Sequence, residues 1–348
     1  MEQENSLPRH ILIIRISAIG DVAMLPHTIR AFSAEHPEVK LTIATQRFLR
    51  PFFRGLNVDF LDIDTKGEHR DFKGIVRLTK QIRELGVDAI ADMHGVIRSY
   101  QIGLLARLMG IRVATIDKGR VEKWFRLGYS KSNAISLKHT VVHYSDVLRR
   151  LGFEFADPTP IAEKPAYDNP LGKKDGLWVG FAPFSAHEGK TYPANMREEV
   201  VRLLSERYDR VFVHSGGREA ELSFAKDMEE RYHNVTALFP ICKLEQEVAL
   251  ISHLDCIVSM DSMAMHIASL VATPVVSIWG ATHPEFGFSG FGSREDLMLQ
   301  IELPCRPCSV YGKKPCKYGD YRCMRAITPQ MIANKVAEVV KKQSEGQE

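Results

Sequence analysis

Hydrophobic positions in this chain come in short blocks separated by longer stretches of helical spacing. Residues 11–16 (ILIIRI) form a largely apolar run, and from 22 to about 35 the spacing changes to that of an amphipathic helix. Apolar runs that do not alternate with polar residues mark parallel strands covered on both faces. Further runs lie at 41–44, 58–63, 87–93 (VDAIADM) and 112–116, separated or followed by helical stretches at 47–54, 72–85, 97–109 and 140–151. Strand and helix alternate throughout, which predicts an α/β, doubly wound parallel sheet for this half.

The pattern dissolves between 157 and 175. Pro158, Pro160, Pro165 and Pro170 fit neither a central strand nor a helix interior. The expected division is a first domain over 1–157, a proline-rich linker over 158–175 and a second domain over 176–348. Strands at 177–182 and 211–214, helices at 196–206 and 218–231, and a last helix over 329–341 restart the alternation. The densest unit spans 254–280, with strand 254–259, a polar turn, a short helix, Pro274 and strand 275–279. Two Rossmann-like halves joined in this way are expected to face each other across a cleft, with the carboxyl ends of their strands toward the ligand.

Two turns carry candidate chemistry. Residues 260–262 follow a parallel strand and open a helix, where free N–H groups and the helix dipole favour a phosphate. Asp261 has the wrong sign for a phosphate ligand and suits a helix cap or a sugar hydroxyl. Capping by Asp261 and Ser262, with His266 as a packed helix residue, fits the same pattern. A similar turn recurs near the amino terminus as Ser17-Ala18-Ile19-Gly20-Asp21. Its one glycine, where the dinucleotide fingerprint needs three, disfavours an NAD-dependent enzyme. Gly20 permits the tight turn. Asp21, in the first helical turn, serves either as a cap or as a general base at the mouth of the first sheet. After the strand ending at 182 comes PFSAHEGKTYP, which sets the Ser185 hydroxyl and the Lys190 ammonium at a carboxyl strand end. Such a pair can neutralise a diphosphate leaving group without a metal. A solvated surface lysine is the plainer alternative.

Composition mainly excludes. The 348 residues suit two domains, and 45% hydrophobic with 26% charged residues is ordinary for a globular protein. No run is long enough to span a bilayer, and no apolar segment follows the polar start MEQENSLPRH, so nothing directs the chain to secretion. A net charge of +3 gives no case for nucleic acid but leaves room for a local basic patch. One lies at 118–138, where Lys118, Arg120, Lys123, Arg126, Lys131 and Lys138 interleave with Trp124, Phe125 and Tyr129. It reads as a docking surface for an anionic glycolipid at a membrane, or as a solvated loop. Four of the six cysteines, Cys305, Cys308, Cys316 and Cys323, crowd into 305–323. Four thiolates so spaced can bind zinc, although the second pair is wider than in zinc ribbons, and reduced thiols in a compact loop are the simpler reading. No metal is assigned to them.

The assembled motifs resemble those of glycosyltransferase family 9, the ADP-heptose–lipopolysaccharide heptosyltransferases, from Ile11 to about Pro329. The resemblance rests on Ser17, Gly20 and Asp21 after the first strand, on Asp92, His94, Gly95 and Arg98, and on Lys190. It rests also on the series Asp261, Ser262, His266, Ala268, Pro274, Gly280 and Thr282, and on Cys305, Pro307 and Cys308. Met263 stands where the family has glycine, a position that lets the backbone approach the donor.

The resemblance implies a GT-B architecture and an inverting transfer that needs neither metal nor cofactor. Asp21 would deprotonate the acceptor hydroxyl. Ser185, Lys190 and the amides of Ser262, Met263 and Ala264 would hold the departing diphosphate, with Asp261 on donor hydroxyls and His266 supporting the turn. Gly20, Asp92, Arg98, Lys118 and Arg120 would lie on the acceptor side. It implies a nucleotide-sugar donor, with ADP-heptose first, and an anionic glycolipid acceptor in the lipopolysaccharide core. Nucleic acid is not an expected partner, and the expected location is the cytoplasm, at the inner face of the membrane. A different nucleotide sugar on the same fold is the strongest rival, given Met263. A sugar-nucleotide epimerase and a non-catalytic nucleotide-binding protein are the others.

Overall fold

The computed structural model describes residues 7–128, 137–239 and 242–345. Lys131 and Tyr129 of the basic stretch lie outside them. By contact density the chain forms two compact units, Met1–Gly119 with Lys138–Thr159, and Arg120–Leu137 with Pro160–Glu348. The division at 159/160 falls inside the proline-rich stretch.

In the first unit the apolar runs become β1 (His10–Ile14), β2 (Lys40–Thr45), β3 (Asp59–Asp62), β4 (Ala89–Asp92) and β5 (Arg112–Thr115). Between them lie α1 (Ile19–Glu35), α2 (Phe72–Glu84) and α3 (Ile97–Leu108). The strands are all parallel, in the order β3-β2-β1-β4-β5. The chain starts in the middle, builds outward through β2 and β3, then crosses back to β4 and β5. The carboxyl ends of β1 and β4 are therefore the point where the winding reverses, and such a point opens a crevice for ligands. Ile14 pairs with Asp92 there, so the loops that follow leave the sheet side by side. Leu12, Ile14, Leu78, Ile90 and Ile102 are fully buried in the core on the α2/α3 side. Cutting any of them to alanine removes about 2–5 kcal/mol.

Helix α4 (Arg120–Gly128), which the sequence reading leaves inside the first domain's basic stretch, belongs to the second unit. The cause is visible in its side chains: the Lys123 ammonium sits 4.4 Å from the Phe288 ring centroid, and Arg126 pairs with Glu285. Helix α5 (Thr140–Arg149) returns to the first unit and packs on α1.

The second unit holds β6 (Trp178–Ala182), α6 (Ala194–Ser205), β7 (Arg210–Val213), α7 (Glu219–Arg231) and β8 (Val235–Ala237). It continues with α8 (Leu244–His253), β9 (Cys256–Met260), α9 (Met263–Leu270), β10 (Val275–Trp279), β11 (Met298–Gln300), α10 (Arg322–Arg325) and α11 (Pro329–Glu345). Its parallel sheet runs β11-β10-β9-β6-β7-β8. The winding reverses between β6 and β9, where Ala182 pairs with Ser259. Helix α11 docks on α6, and its Ile332, Val336, Val339 and Val340 enter the same core as Val200, Val201 and Leu204. Strands β8 and β11 are three residues each, too short to carry a period. Both are two-sided α/β sheets of the kind expected.

Candidate active site

Each unit presents its candidate residues at its own reversal point. In the first, Asp21 is the third residue of α1, and its Oδ2 accepts a hydrogen bond from the Ala18 backbone N–H at 3.4 Å. That is the capping role. The same carboxylate keeps 32% of its side-chain surface exposed and pairs with the Arg15 guanidinium, itself only 5% exposed. Arg15 also donates to the Met93 carbonyl at 2.8 Å and stacks over the Tyr144 ring at 5.7 Å. The Tyr144 hydroxyl donates to the Asp21 carbonyl at 3.0 Å, and burial keeps that phenol protonated. Buried Arg15 thus braces the carboxylate itself, Tyr144 holds the Asp21 backbone, and Met93 holds Arg15.

His94 completes this mouth. Its Nε2 lies 3.3 Å from the Ser17 hydroxyl, while Nδ1 is buried with no hydrogen-bond partner. Burial, then the charges of Arg15 and Lys118, push its pKa down to about 3, so it is a neutral imidazole at any physiological pH. Asp92 lies below the surface. Its Oδ1 accepts from the N–H groups of His94 and Gly95, both at 3.0 Å, and its Oδ2 from the Ser99 hydroxyl at 2.9 Å. It shapes the loop that presents His94 and positions the site without facing it. Gly95 needs to be glycine: its φ is +56°, and an added Cβ would come 2.8 Å from Ile116. Arg98 donates to the carbonyls of His69 and Arg70, which ties it to the loop before α2. Gly20 lies in the first turn of α1.

Of the basic stretch, Lys123 and Arg126 are engaged by Phe288 and Glu285 within the second unit, and Lys138 pairs with Asp146. The rest of the docking surface expected over 118–138 runs through residues 129–136, which lie outside the described residues.

In the second unit the loops after β6 and β9 converge. The Lys190 Nζ sits 3.1 Å from Asp261 Oδ2, and the Thr282 hydroxyl donates to the same oxygen at 2.9 Å. The Ser185 hydroxyl donates to the Asp261 carbonyl at 3.1 Å. Asp261 is 5% exposed, so its carboxylate fixes the Lys190 ammonium rather than standing open to solvent. Ser262 is the N-cap of α9 and makes no side-chain cap bond; its hydroxyl lies 3.2 Å from that of Ser259. The first amides of α9, from Met263 and Ala264, are left to an anion at that end. His266 is buried one turn further in. Met263 is half-buried, and its backbone lies outside the positive-φ region, so the chain itself does not require glycine there.

The cysteine-rich segment underpins this mouth. Buried Arg306 donates to the carbonyls of Gly280, Thr282 and Ile301, and the N–H groups of Cys308 and Ser309 donate to the Ala281 carbonyl at 3.1 and 3.2 Å. Gly312, at φ +74°, lies against the aliphatic stem of Lys190, where a Cβ would come within 2.5 Å. Among the described residues no group of three or more His, Cys, Asp or Glu side chains is placed to hold a metal ion. Burial raises the Cys308 and Cys323 thiols, so both remain protonated.

Chemically, one mouth offers a braced, partly exposed carboxylate beside a neutral imidazole. The other offers an ammonium and free helix amides suited to a diphosphate. The family model for glycosyltransferase family 9 (heptosyltransferase) matches residues 75–319, well over half of the chain. The chain belongs to glycosyltransferase family 9. This glycosyltransferase is 22% identical to lipopolysaccharide heptosyltransferase 1 of Pseudomonas aeruginosa, across 94% of the chain and 96% of that protein. It is also 22% identical to the lipopolysaccharide core heptosyltransferase OpsX of Haemophilus influenzae, across 80% of each. The solved heptosyltransferase WaaC of E. coli with ADP is similar in fold, with a TM-score of 0.66, 16% identity and coverage of 95% of this chain and 99% of that one.

Sequence reasoning reached both mouths but missed Arg15, Tyr144 and Arg306. Arg15 left a signal, a lone charge inside the apolar run ILIIRI.

Proposed function

We propose that this glycosyltransferase moves a heptose, or a closely related sugar, from an ADP-sugar to a lipopolysaccharide core acceptor, with inversion and without a metal. The single observation that carries the reading is the pairing of equipment at the two reversal points: a carboxylate to take a proton, and a cation with helix amides to receive a diphosphate. Asp21 accepts the proton of the acceptor hydroxyl as that oxygen attacks the anomeric carbon. The bond from that carbon to the diphosphate breaks on the opposite face, and the electron pair leaves with the nucleotide. Lys190 and the Met263 and Ala264 amides stabilise the charge that develops there. The logic is that of an inverting glycosidase with a sugar hydroxyl in place of water. Ser185 and Asp261 hold Lys190 and its loop in place. His94 and Ser17 stand where the acceptor's hydroxyls would be oriented, with Asp92 behind them, and Lys118 supplies positive charge nearby. The names of the relatives, and the ADP in the solved heptosyltransferase, support donor and acceptor alike. A glycolipid acceptor would favour a location at the cytoplasmic face of the inner membrane.

Met263 favours one second reading, a different nucleotide sugar on the same machinery. Thermal stabilisation by ADP, UDP, GDP, CMP and NAD at equal saturating concentration separates the two. A ligand bound only by the native state adds about 2.7 kcal/mol at a hundredfold excess over its dissociation constant. Stabilisation by ADP alone is expected; stabilisation by UDP or GDP instead would move the donor, and by NAD alone or by none would overturn the reading.

A further inference from the structure

Helix α3 is built the wrong way round for a helix on a soluble surface. Ser99, Ile102, Gly103 and Ala106 face the sheet, so its buried side is made of small residues and one isoleucine. Its outward side carries Ile97, Tyr100, Leu104 and Leu108, which are 78%, 49%, 59% and 78% exposed. At 1.5 Å per residue this is an apolar stripe about 16 Å long. A contiguous exposed apolar stripe of this kind marks a face that meets a partner or a membrane.

Both flanks of the stripe are basic. Helix α2 packs beside α3, and its outward row is Lys73, Arg77 and Lys80, all exposed, with Glu84 the one acid on the helix. On the other flank Arg107 reaches over the edge strand β5 to donate to the Val113 carbonyl at 3.2 Å. There Arg107, Arg112 and Arg150 line an open depression of about 380 Å³ at the carboxyl end of the stripe.

We propose that this face, α2 with α3 and the β5 edge, is a membrane-docking surface that takes an anionic lipid bilayer. The apolar stripe enters the boundary between headgroups and acyl chains, and the basic rows meet the anionic headgroups on either side. Charge complementarity selects this occupant over a second copy of the chain, because two such faces brought together would set basic rows against basic rows. No helix among the described residues is long and apolar enough to cross a membrane, so contact of this kind is peripheral. The inference rests on the glycolipid reading of the acceptor only for its biological sense, since the surface argument is independent of the chemistry.

The test is co-sedimentation of the full chain with phosphatidylglycerol vesicles and with phosphatidylcholine vesicles, at low and at high salt. Binding to the anionic vesicles alone, weakened by salt, is expected. The variant Leu104→Gln/Leu108→Gln should lower the bound fraction roughly tenfold, as should Lys73→Glu/Lys80→Glu. Melting temperature and stabilisation by ADP should not move in either, because both pairs of side chains are exposed and lie outside the two mouths. Wild-type binding to neither vesicle, or undiminished binding by both variants, overturns the proposal. So does a wild-type dimer in sedimentation equilibrium that the Leu104/Leu108 variant dissociates, which would assign the face to a second copy. Transfer to a lipid-free acceptor fragment, measured in parallel, reports on the enzymatic reading separately: its loss with vesicle binding intact would sink the function and leave the surface standing.

Discussion

The two mouths share a topology and use a carboxylate in opposite ways. Each lies where a doubly wound parallel sheet reverses, after its first strand and the strand beside it. At the first, Asp21 pairs with Arg15 and keeps about a third of its side chain exposed. At the second, Asp261 is nearly closed off, and one of its oxygens takes both Lys190 and Thr282. A carboxylate with free surface can accept a proton from an incoming hydroxyl; one spent on an ammonium and a hydroxyl sets where that ammonium stands. In the proposed reaction the same residue type after the same kind of strand serves as a reagent in one place and as a bracket in the other.

The largest effects break this contrast directly. Asp21→Asn keeps the shape and the capping acceptor but cannot take a proton, so turnover should fall about 10²–10⁴-fold. Stabilisation by the nucleoside diphosphate should stay at the wild-type value, since the second mouth is untouched. Lys190→Ala should cost about 10²–10³-fold in turnover and weaken that stabilisation as well. Asp261→Asn should follow Lys190→Ala in kind, with a smaller loss. Should Asp261→Asn instead abolish turnover while nucleotide binding stays intact, the roles of the two carboxylates would have to be exchanged.

Both turns were readable in the chain because a reversal point has a local signature, an apolar strand, a small or polar turn and a helix start. The braces of those turns were not. Arg15 meets Met93 across 78 positions, Tyr144 meets Asp21 across 123, and Arg306 reaches Gly280 across 26. Such contacts follow from how strands are ordered in the sheet, which no short window contains. The apolar character of α3 was equally plain in sequence, but which side would be left uncovered depended on small residues at 99, 103 and 106 packing closely on the sheet. Over the basic stretch at 118–138, likewise, no short window shows that the Lys123 ammonium meets the Phe288 ring or that Arg126 pairs with Glu285.

His94 sharpens the contrast through pH. Its folded pKa, about 3, lies below the ordinary value of 6.5. The unfolded chain therefore binds a proton between those limits that the folded chain refuses, so stability rises with pH through this window and is lost as pH falls below 6.5. From pH 6.5 to 5 the wild type should lose about 2 kcal/mol through this group alone. His94→Gln should flatten that part of the profile in denaturant titrations run at several pH values. An unchanged slope would mean that His94 titrates near its ordinary value, and that the first mouth is wetter than its burial indicates.

The smallest effect concerns the second mouth. Met263 opens α9 with a half-buried side chain at the end where the proposed function seats a diphosphate. Because its backbone is not in the left-handed region, Met263→Gly is conformationally allowed and its cost is the helical one, up to about 1 kcal/mol at an interior position and less in the first turn. What it changes is access. If the thioether holds the diphosphate off the amides, affinity for ADP should rise about fivefold, and UDP and GDP should gain alike because the diphosphate is common to all three. If the side chain lies against the nucleoside instead, ADP should lose affinity while the other two change little. Isothermal titration of the three diphosphates with both proteins decides between access and selection, and so whether this departure from the family tunes how tightly the donor is held or which donor is taken.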